Sequence, residues 1–241
     1  MAVEGPAPSL RLATYNIHRG IGRDGRRDPA RISAVIRELA AGVVALQEVD
    51  AAPLGPASFQ MDYLAGTTGY TAVPGTTTRG GDCDYGNVLL SAYPVTAVRH
   101  IDLSYPGCEP RGAIDAELAV AGRPLRVIAT HLGLRARERR EQVRRLVAAV
   151  SPAPAHAVVL MGDINAWWPW SRSLRWLRRG LGRAPAPPGF PAGLPVLALD
   201  RIWARPAGVL RDVWAVRTPQ ARAASDHLPV MGRVVLPGSA P

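Results

Sequence analysis

The sequence predicts an α/β domain in which two mixed, mainly antiparallel sheets pack face to face with helices outside them. Three observations carry this. The first 50 residues read as strand, helix, strand; residues 70–131 form short β runs with no helix between them; and the second half returns to alternating helix and strand. Strands and helices thus recur in two comparable halves, and no repeat of solenoid period is visible.

The first strand is Leu10–Ile17, followed by the loop IHRGIGRDGRR. Asp28 is placed to cap a helix that has Pro29 at its first position. Ile32, Val35, Ile36 and Leu39 recur there at helical spacing before Gly42 stops it. VVALQEV is continuously apolar up to Glu48, as expected of a strand buried on both faces. YTAV, GNVLLSA, VTAVRHIDL, GAIDAELAV and PLRVIATHL follow without helices, which implies antiparallel pairing. A helix is expected over Arg135–Val150, with Val143, Leu146, Val147 and Val150 inward and six arginines outward. Its two Glu residues, Glu138 and Glu141, are expected to pair with Arg on a solvated face. Next come the strand AVVLMGD, a Trp-rich helix opened by Pro169 and running to Leu181, and a Pro/Gly-rich loop from Pro185 to Pro195. ALDRIWA, GVLRDVWAV and LPVMGRVVL complete the strands.

At 241 residues the chain is long enough to bury roughly 70% of the surface exposed when unfolded. The division expected is a flexible segment 1–9, one domain over 10–236 and a flexible tail 237–241. Hydrophobic content of 47% with 20% charged residues excludes a disordered chain. The N-terminal residues lack a cationic and then apolar leader, and no apolar run reaches membrane-helix length, so the expected location is cytoplasmic. Cys83 and Cys108 have no zinc-finger spacing, and no disulfide is assumed between them. All 29 basic residues are Arg, giving a net charge of +10. That charge suits a polyanionic partner, an anionic membrane surface or a phosphorylated substrate, while a coding bias toward Arg explains it equally well.

Several strands end on metal-ligating or proton-transfer groups: Asn16, Glu48, His131, Asp163 with Asn165, Asp200, and Asp226 with His227 ahead of the last strand. Each has a plainer reading alone, Asp163-x-Asn165 as an Asx turn and Asp226-His227 as a cap and a core histidine among them. Together they match metal-assisted hydrolysis of a phosphate ester. Glu48, Asp226 and the Asn16 amide oxygen are hard donors suited to Mg²⁺ or Mn²⁺. His131 and His227 supply proton-transfer groups, Asp200 could orient an imidazole, and Arg111 offers a planar fork for phosphate. The absence of HExxH and of clustered Cys argues against a zinc peptidase.

TYNIH, ALQEVD, YGNVLLS, EPRGAI, ATHLG, MGDINAW, LDRIW and ASDHLPV follow one another in the order and approximate spacing of the endonuclease/exonuclease/phosphatase superfamily. The resemblance spans about Leu10 to Leu236. It implies a four-layered α/β sandwich and metal-dependent phosphoester cleavage. It matches Asn16 and Glu48 to the metal ligands, with Asp226 completing that side. Asp163 and Asn165 match the residues that hold the attacking water and the phosphate. His227 resembles a general base paired with Asp200, Asp163 being the alternative base. His131 resembles the group that stabilises the transition state or protonates the leaving oxygen. Asn87 falls where some members place an acidic or phosphate-contacting residue. His18 matches no role beyond a loop hydrogen bond.

Three functions follow: a phosphodiesterase with nucleic acid ahead of a phospholipid headgroup, a small-molecule or inositol phosphate phosphatase, and a catalytically silent nucleic-acid-binding module. The partners expected are a phosphate-ester substrate, nucleic acid, and peripheral membrane contact through Trp176 and its Arg neighbours; no protein partner is expected, and the chain is read as a monomer. On the Trp-rich helix, Trp170, Leu174, Leu177 and Leu181 are expected on the core face.

Overall fold

In the computed structural model, residues 8–50, 60–78, 85–150 and 156–237 are described. Cys83 lies outside them, and with it the question of the cysteine pair, as do most of the terminal segments. The first half holds β1 (Ser9–Asn16), α1 (Pro29–Leu39), β2 (Val43–Asp50), α2 (Gln60–Thr68), β3 (Thr71–Thr78), β4 (Tyr85–Ser91), β5 (Val95–Asp102) and β6 (Gly112–Val120). The second holds β7 (Arg123–His131), α3 (Ala136–Val150), β8 (Ala157–Asp163), α4 (Arg172–Leu181), β9 (Asp200–Arg205), β10 (Leu210–Ala215), α5 (Pro219–Ala224) and β11 (Val230–Val235).

The strands form a six-stranded sheet, ordered β10-β11-β1-β2-β4-β3, and a five-stranded sheet, ordered β5-β6-β7-β8-β9. Each sheet contains one parallel pair, β1 with β2 and β7 with β8, joined by α1 and α3 respectively. A parallel pair needs such a crossover, whereas the helix-free stretch gives the antiparallel pairs β3-β4, β5-β6 and β6-β7. The predicted two-sheet sandwich with outer helices is therefore present.

Three apolar clusters define the layers. Leu12, Ala45 and Leu89 of one sheet meet Ile114, Val127, Met161 and Ile202 of the other between the sheets. α1, α2 and α5 cover the outside of the first sheet, with Ile32, Val35 and Ile36 packed on Val44 and Leu46. α3 and α4 cover the second, through Val143, Leu146, Leu174 and Leu177. β2 and β8 are central and covered on both faces, which is why their sequences are apolar runs rather than alternations.

Asp28 caps α1, accepting from the Arg31 amide at 3.1 Å, as the sequence predicts. The Trp-rich helix differs from expectation. It begins at Arg172, capped by Ser171, whose own amide closes a turn onto the Trp168 carbonyl. Trp170 thereby lies before the helix and is exposed, while Trp176 is half-buried against the α3-α4 core with the Arg144 guanidinium 5.5 Å from its ring centre. Glu138 also departs from the solvated-face reading. It is buried, and its carboxylate accepts from the Arg135 amide at 3.3 Å and from Gln142 Nε2 at 3.1 Å, so it fastens the start of α3. Glu141 does pair with Arg144 and Arg145. α2 and α5 are absent from the sequence reading. Among the described residues no helix is long and apolar enough to cross a membrane.

Candidate active site

Strand direction alone brings the chemical residues to one end of the sandwich. β1 and β2 run parallel, so Asn16 and Glu48 share an end. β11 is antiparallel to β1, which places the preceding Asp226 and His227 there too. In the other sheet, His131 lies opposite Asp163 in the parallel pair, and Asp163 lies opposite Asp200 in the antiparallel pair. Arg111 precedes β6, whose start is paired with the end of β7.

Asn16 ties the two sheets together at this end. Asn16 Nδ2 donates to Asp163 Oδ2 at 3.1 Å and to Glu48 Oε1 at 3.0 Å, and Asn16 Oδ1 accepts from the His18 amide. Glu48 reaches this position from a bulge in β2, where its φ is +58° and the pairing with β4 shifts register. Asp163 Oδ1 accepts from the Asn165 amide at 2.9 Å, so the Asx turn forms and leaves the other carboxylate oxygen facing the site. Gly162 makes this approach possible, because a Cβ there would lie 1.9 Å from the Thr130 carbonyl oxygen.

The two histidines sit in opposite electrostatic settings around Asp163. His227 Nδ1 is 2.8 Å from Asp200 Oδ2, and its Nε2 is 3.9 Å from Asp163 Oδ2. Burial disfavours its charge, but Asp200, Asp163 and Asp226 overcome that and raise its pKa to about 10. His131 Nε2 is 3.5 Å from the same Asp163 oxygen. Burial first, then the Arg111 cation and His227, hold its pKa down at about 3 against the pull of Asp163. At neutral pH one imidazole is charged and the other is not. Asp163 itself is pushed up by burial and by Asp200.

Arg111 fixes the neutral ring. Its Nη1 lies 3.2 Å from His131 Nδ1 and its Nη2 donates to Glu109 at 2.9 Å. Arg111 is an obligate donor, so His131 Nδ1 accepts and Nε2 carries the proton on the Asp163 side. The Arg111 fork, expected to suit phosphate, holds His131 and Glu109 through its two Nη atoms, while its buried Nε has no partner among the described residues. Asn87 donates to the Gly112 carbonyl at 3.1 Å, tying β4 to the start of β6 across the sheets. Asn165 Nδ2 donates to the Leu132 carbonyl at 2.8 Å, and the same nitrogen lies 3.1 Å from His131 Nε2, an approach that is donor to donor and no hydrogen bond while Nε2 carries the proton. Asp226 is half-exposed, with the His18 ring 3.8 Å away.

Sequence reasoning missed Ser225 and Glu109. Ser225 Oγ donates to the Asn16 carbonyl at 2.8 Å and accepts from the His227 amide at 3.2 Å, locking the last loop onto β1. Their adjacency to Asp226 and Arg111 was the signal available. Phe190, from the Pro/Gly-rich loop, lies against the His227 ring with centroids 4.7 Å apart.

The carboxylates of Glu48, Asp163, Asp200 and Asp226 suit a hard divalent cation, whereas Asn16 spends its amide oxygen on the His18 amide and its NH2 on Glu48 and Asp163, so its oxygen would join them only with the amide turned over. Asp200 Oδ1 is buried and has no hydrogen-bond partner among the described residues. Ligating atoms of Asp163, Asp200 and His227 also lie within 4.8 Å of one another and could hold a cation, provided that His227 gave up its proton.

A two-sheet α/β sandwich with these groups along one rim is the architecture of a known family, which the comparisons identify. The Endonuclease/Exonuclease/phosphatase family model matches residues 13–227, and the chain belongs to that family. It is 30% identical to the Escherichia coli K12 protein YbhP over 246 residues, which span 95% of this chain and 97% of that one. The structure superposes on an endonuclease/exonuclease/phosphatase from Beutenbergia cavernae with TM-score 0.78 and 26% identity, covering 96% of this chain and 72% of the other. It shares the fold of Danio rerio TDP2 bound to a single-strand DNA product, with TM-score 0.70, 18% identity, and 95% and 99% coverage.

Proposed function

We propose that this chain is a divalent-cation-dependent hydrolase that cleaves phosphodiesters by in-line attack of water. The observation that carries the reading is buried Asp163, held by Asn16 between a neutral and a charged imidazole. Asp163 takes the proton of the attacking water, since its affinity for a proton is raised where the water would sit. The raised pKa of His227 supports Asp163 over His227 as the base, because an imidazolium has no lone pair for a proton. His227 instead places a positive charge, backed by Asp200, beside the reacting phosphate. His131 offers Nε2–H to an oxygen of the transition state, and Asn165 positions the phosphate. A cation held by Glu48, Asn16 and Asp226 would supply charge neutralisation for the phosphate and the leaving oxygen.

The test is a panel of plasmid DNA, single-stranded RNA, phospholipid vesicles and soluble phosphomonoesters, assayed with Mg²⁺ or Mn²⁺ and after chelation. Chelator-sensitive cleavage of a diester is expected. Cleavage of monoesters alone would favour the phosphatase reading, and binding of nucleic acid without cleavage would favour the silent module.

A further inference from the structure

Among the described residues, eight large apolar side chains are exposed, and six of them belong to loops at the active-site end. Leu134 follows β7, three residues beyond His131. Trp167, Trp168 and Trp170 follow β8, immediately beyond Asn165. Leu194 and Val196 lie in the loop before β9, which also carries Phe190 against His227 and hydrogen-bonds through Ala192 to the Asp226 carbonyl. These six are between 51% and 73% exposed, whereas most of the other large aliphatic side chains among the described residues are buried. The tryptophans are not loose. Their rings contact one another in sequence, edge to face between Trp167 and Trp168 and tilted between Trp168 and Trp170, with centroids 5.6 and 5.0 Å apart, and Arg178 donates to the Pro169 carbonyl at 2.9 Å to hold the turn.

We propose that this rim is a docking surface for a phospholipid bilayer and delivers a lipid headgroup phosphodiester to the site; this deepens the hydrolase reading and rests on it. The choice of occupant follows from side-chain chemistry. Nucleic acid would use the tryptophans for stacking but has no use for exposed Leu134, Leu194 and Val196, whereas all six partition into the boundary between headgroups and acyl chains. Tryptophan is the residue that favours that boundary. The exposed arginines next in sequence to the patch, Arg135, Arg137, Arg172 and Arg175, complement anionic headgroups, as does the net charge of +10. The surface therefore reverses the order of substrates expected from sequence, placing phospholipid ahead of nucleic acid. It also moves the membrane contact from Trp176, which is packed, to the tryptophans beside Asn165.

The test uses the full chain with vesicles of phosphatidylcholine alone or equimolar with phosphatidylglycerol, followed by co-sedimentation and by quenching of tryptophan fluorescence with brominated acyl chains. Binding to the anionic vesicles with quenching is expected, and partitioning should fall roughly tenfold or more in the double variant Trp168→Ser/Trp170→Ser. Leu194→Ser/Val196→Ser should fall in the same direction, and it carries the test if the tryptophan variant does not fold by circular dichroism. Both variants should retain wild-type hydrolysis of a soluble diester such as bis(p-nitrophenyl) phosphate. Absence of vesicle binding, or unchanged binding in the variants, overturns the proposal. So does loss of single-stranded oligonucleotide binding in the tryptophan variant while vesicle binding persists. Vesicle binding with no hydrolysis of any diester would remove the enzymatic reading and leave the bilayer surface standing.

Discussion

Replacing Asp200 by Asn tests whether the Asp200–His227 contact is an ion pair. Both side chains are almost wholly buried and 2.8 Å apart. The His227 pKa is about 10 in the fold against 6.5 in the unfolded chain. A raised pKa means that the folded state binds the proton more tightly, so the contribution to stability is complete below pH 6.5, declines between 6.5 and 10, and is absent above 10. The decline can reach about 1.4 kcal/mol per pH unit, and on the order of 4 kcal/mol remains at pH 7. In Asp200→Asn the largest favourable contribution to the imidazolium is gone and burial opposes its charge. Urea denaturation of both proteins from pH 6 to 10 should give a wide stability gap at neutral pH that closes as pH approaches 10. A gap that stays constant across that range would show a neutral hydrogen bond instead, and would return His227 to the role of base.

Arg111→Ala should lower turnover of a soluble diester by roughly 10²-fold with little change in KM, because His131 loses the donor that fixes its tautomer and ring position. Arg111 acts here through His131, so imidazole NMR of the variant should show His131 titrating closer to its ordinary value; an unmoved resonance would argue against this role. Gly162→Ala should cost about 2–5 kcal/mol of stability, since its Cβ would overlap the Thr130 carbonyl; thermal or urea unfolding checks it. Chelation followed by restoration of Mg²⁺ should abolish and restore turnover without unfolding the chain, read by activity and circular dichroism in parallel.

Much of the sandwich was legible because its strands and main helices carry strong local signals. Asp28-Pro29 marks the start of α1, and the apolar runs of β2 and β8 mark central strands. α5 carries the same kind of signal in Thr218 and Pro219 and could have been found; six residues simply leave little periodicity to read. α2 has a weak apolar stripe, with Gln60 and Leu64 its buried residues, so only tertiary packing defines it. The site residues were visible as polar groups closing apolar strands, and strand direction brings most of them together. Their couplings were not visible. That Arg111 grips His131 rather than standing free depends on the sheets' relative placement, which no local pattern encodes. Trp170 was misplaced by extending helical spacing back through Pro169, whereas a turn and the Ser171 cap start the helix only at Arg172.

The measurement that bears most directly on the catalytic account is single-turnover hydrolysis of a phosphodiester in isotopically labelled water, with the wild type and Asp163→Asn compared. Direct attack on phosphorus with Asp163 as base predicts label in the phosphate product, and a rate in the variant lower by roughly 10²–10⁴-fold. Label in the alcohol, or an undiminished rate in Asp163→Asn, would contradict it.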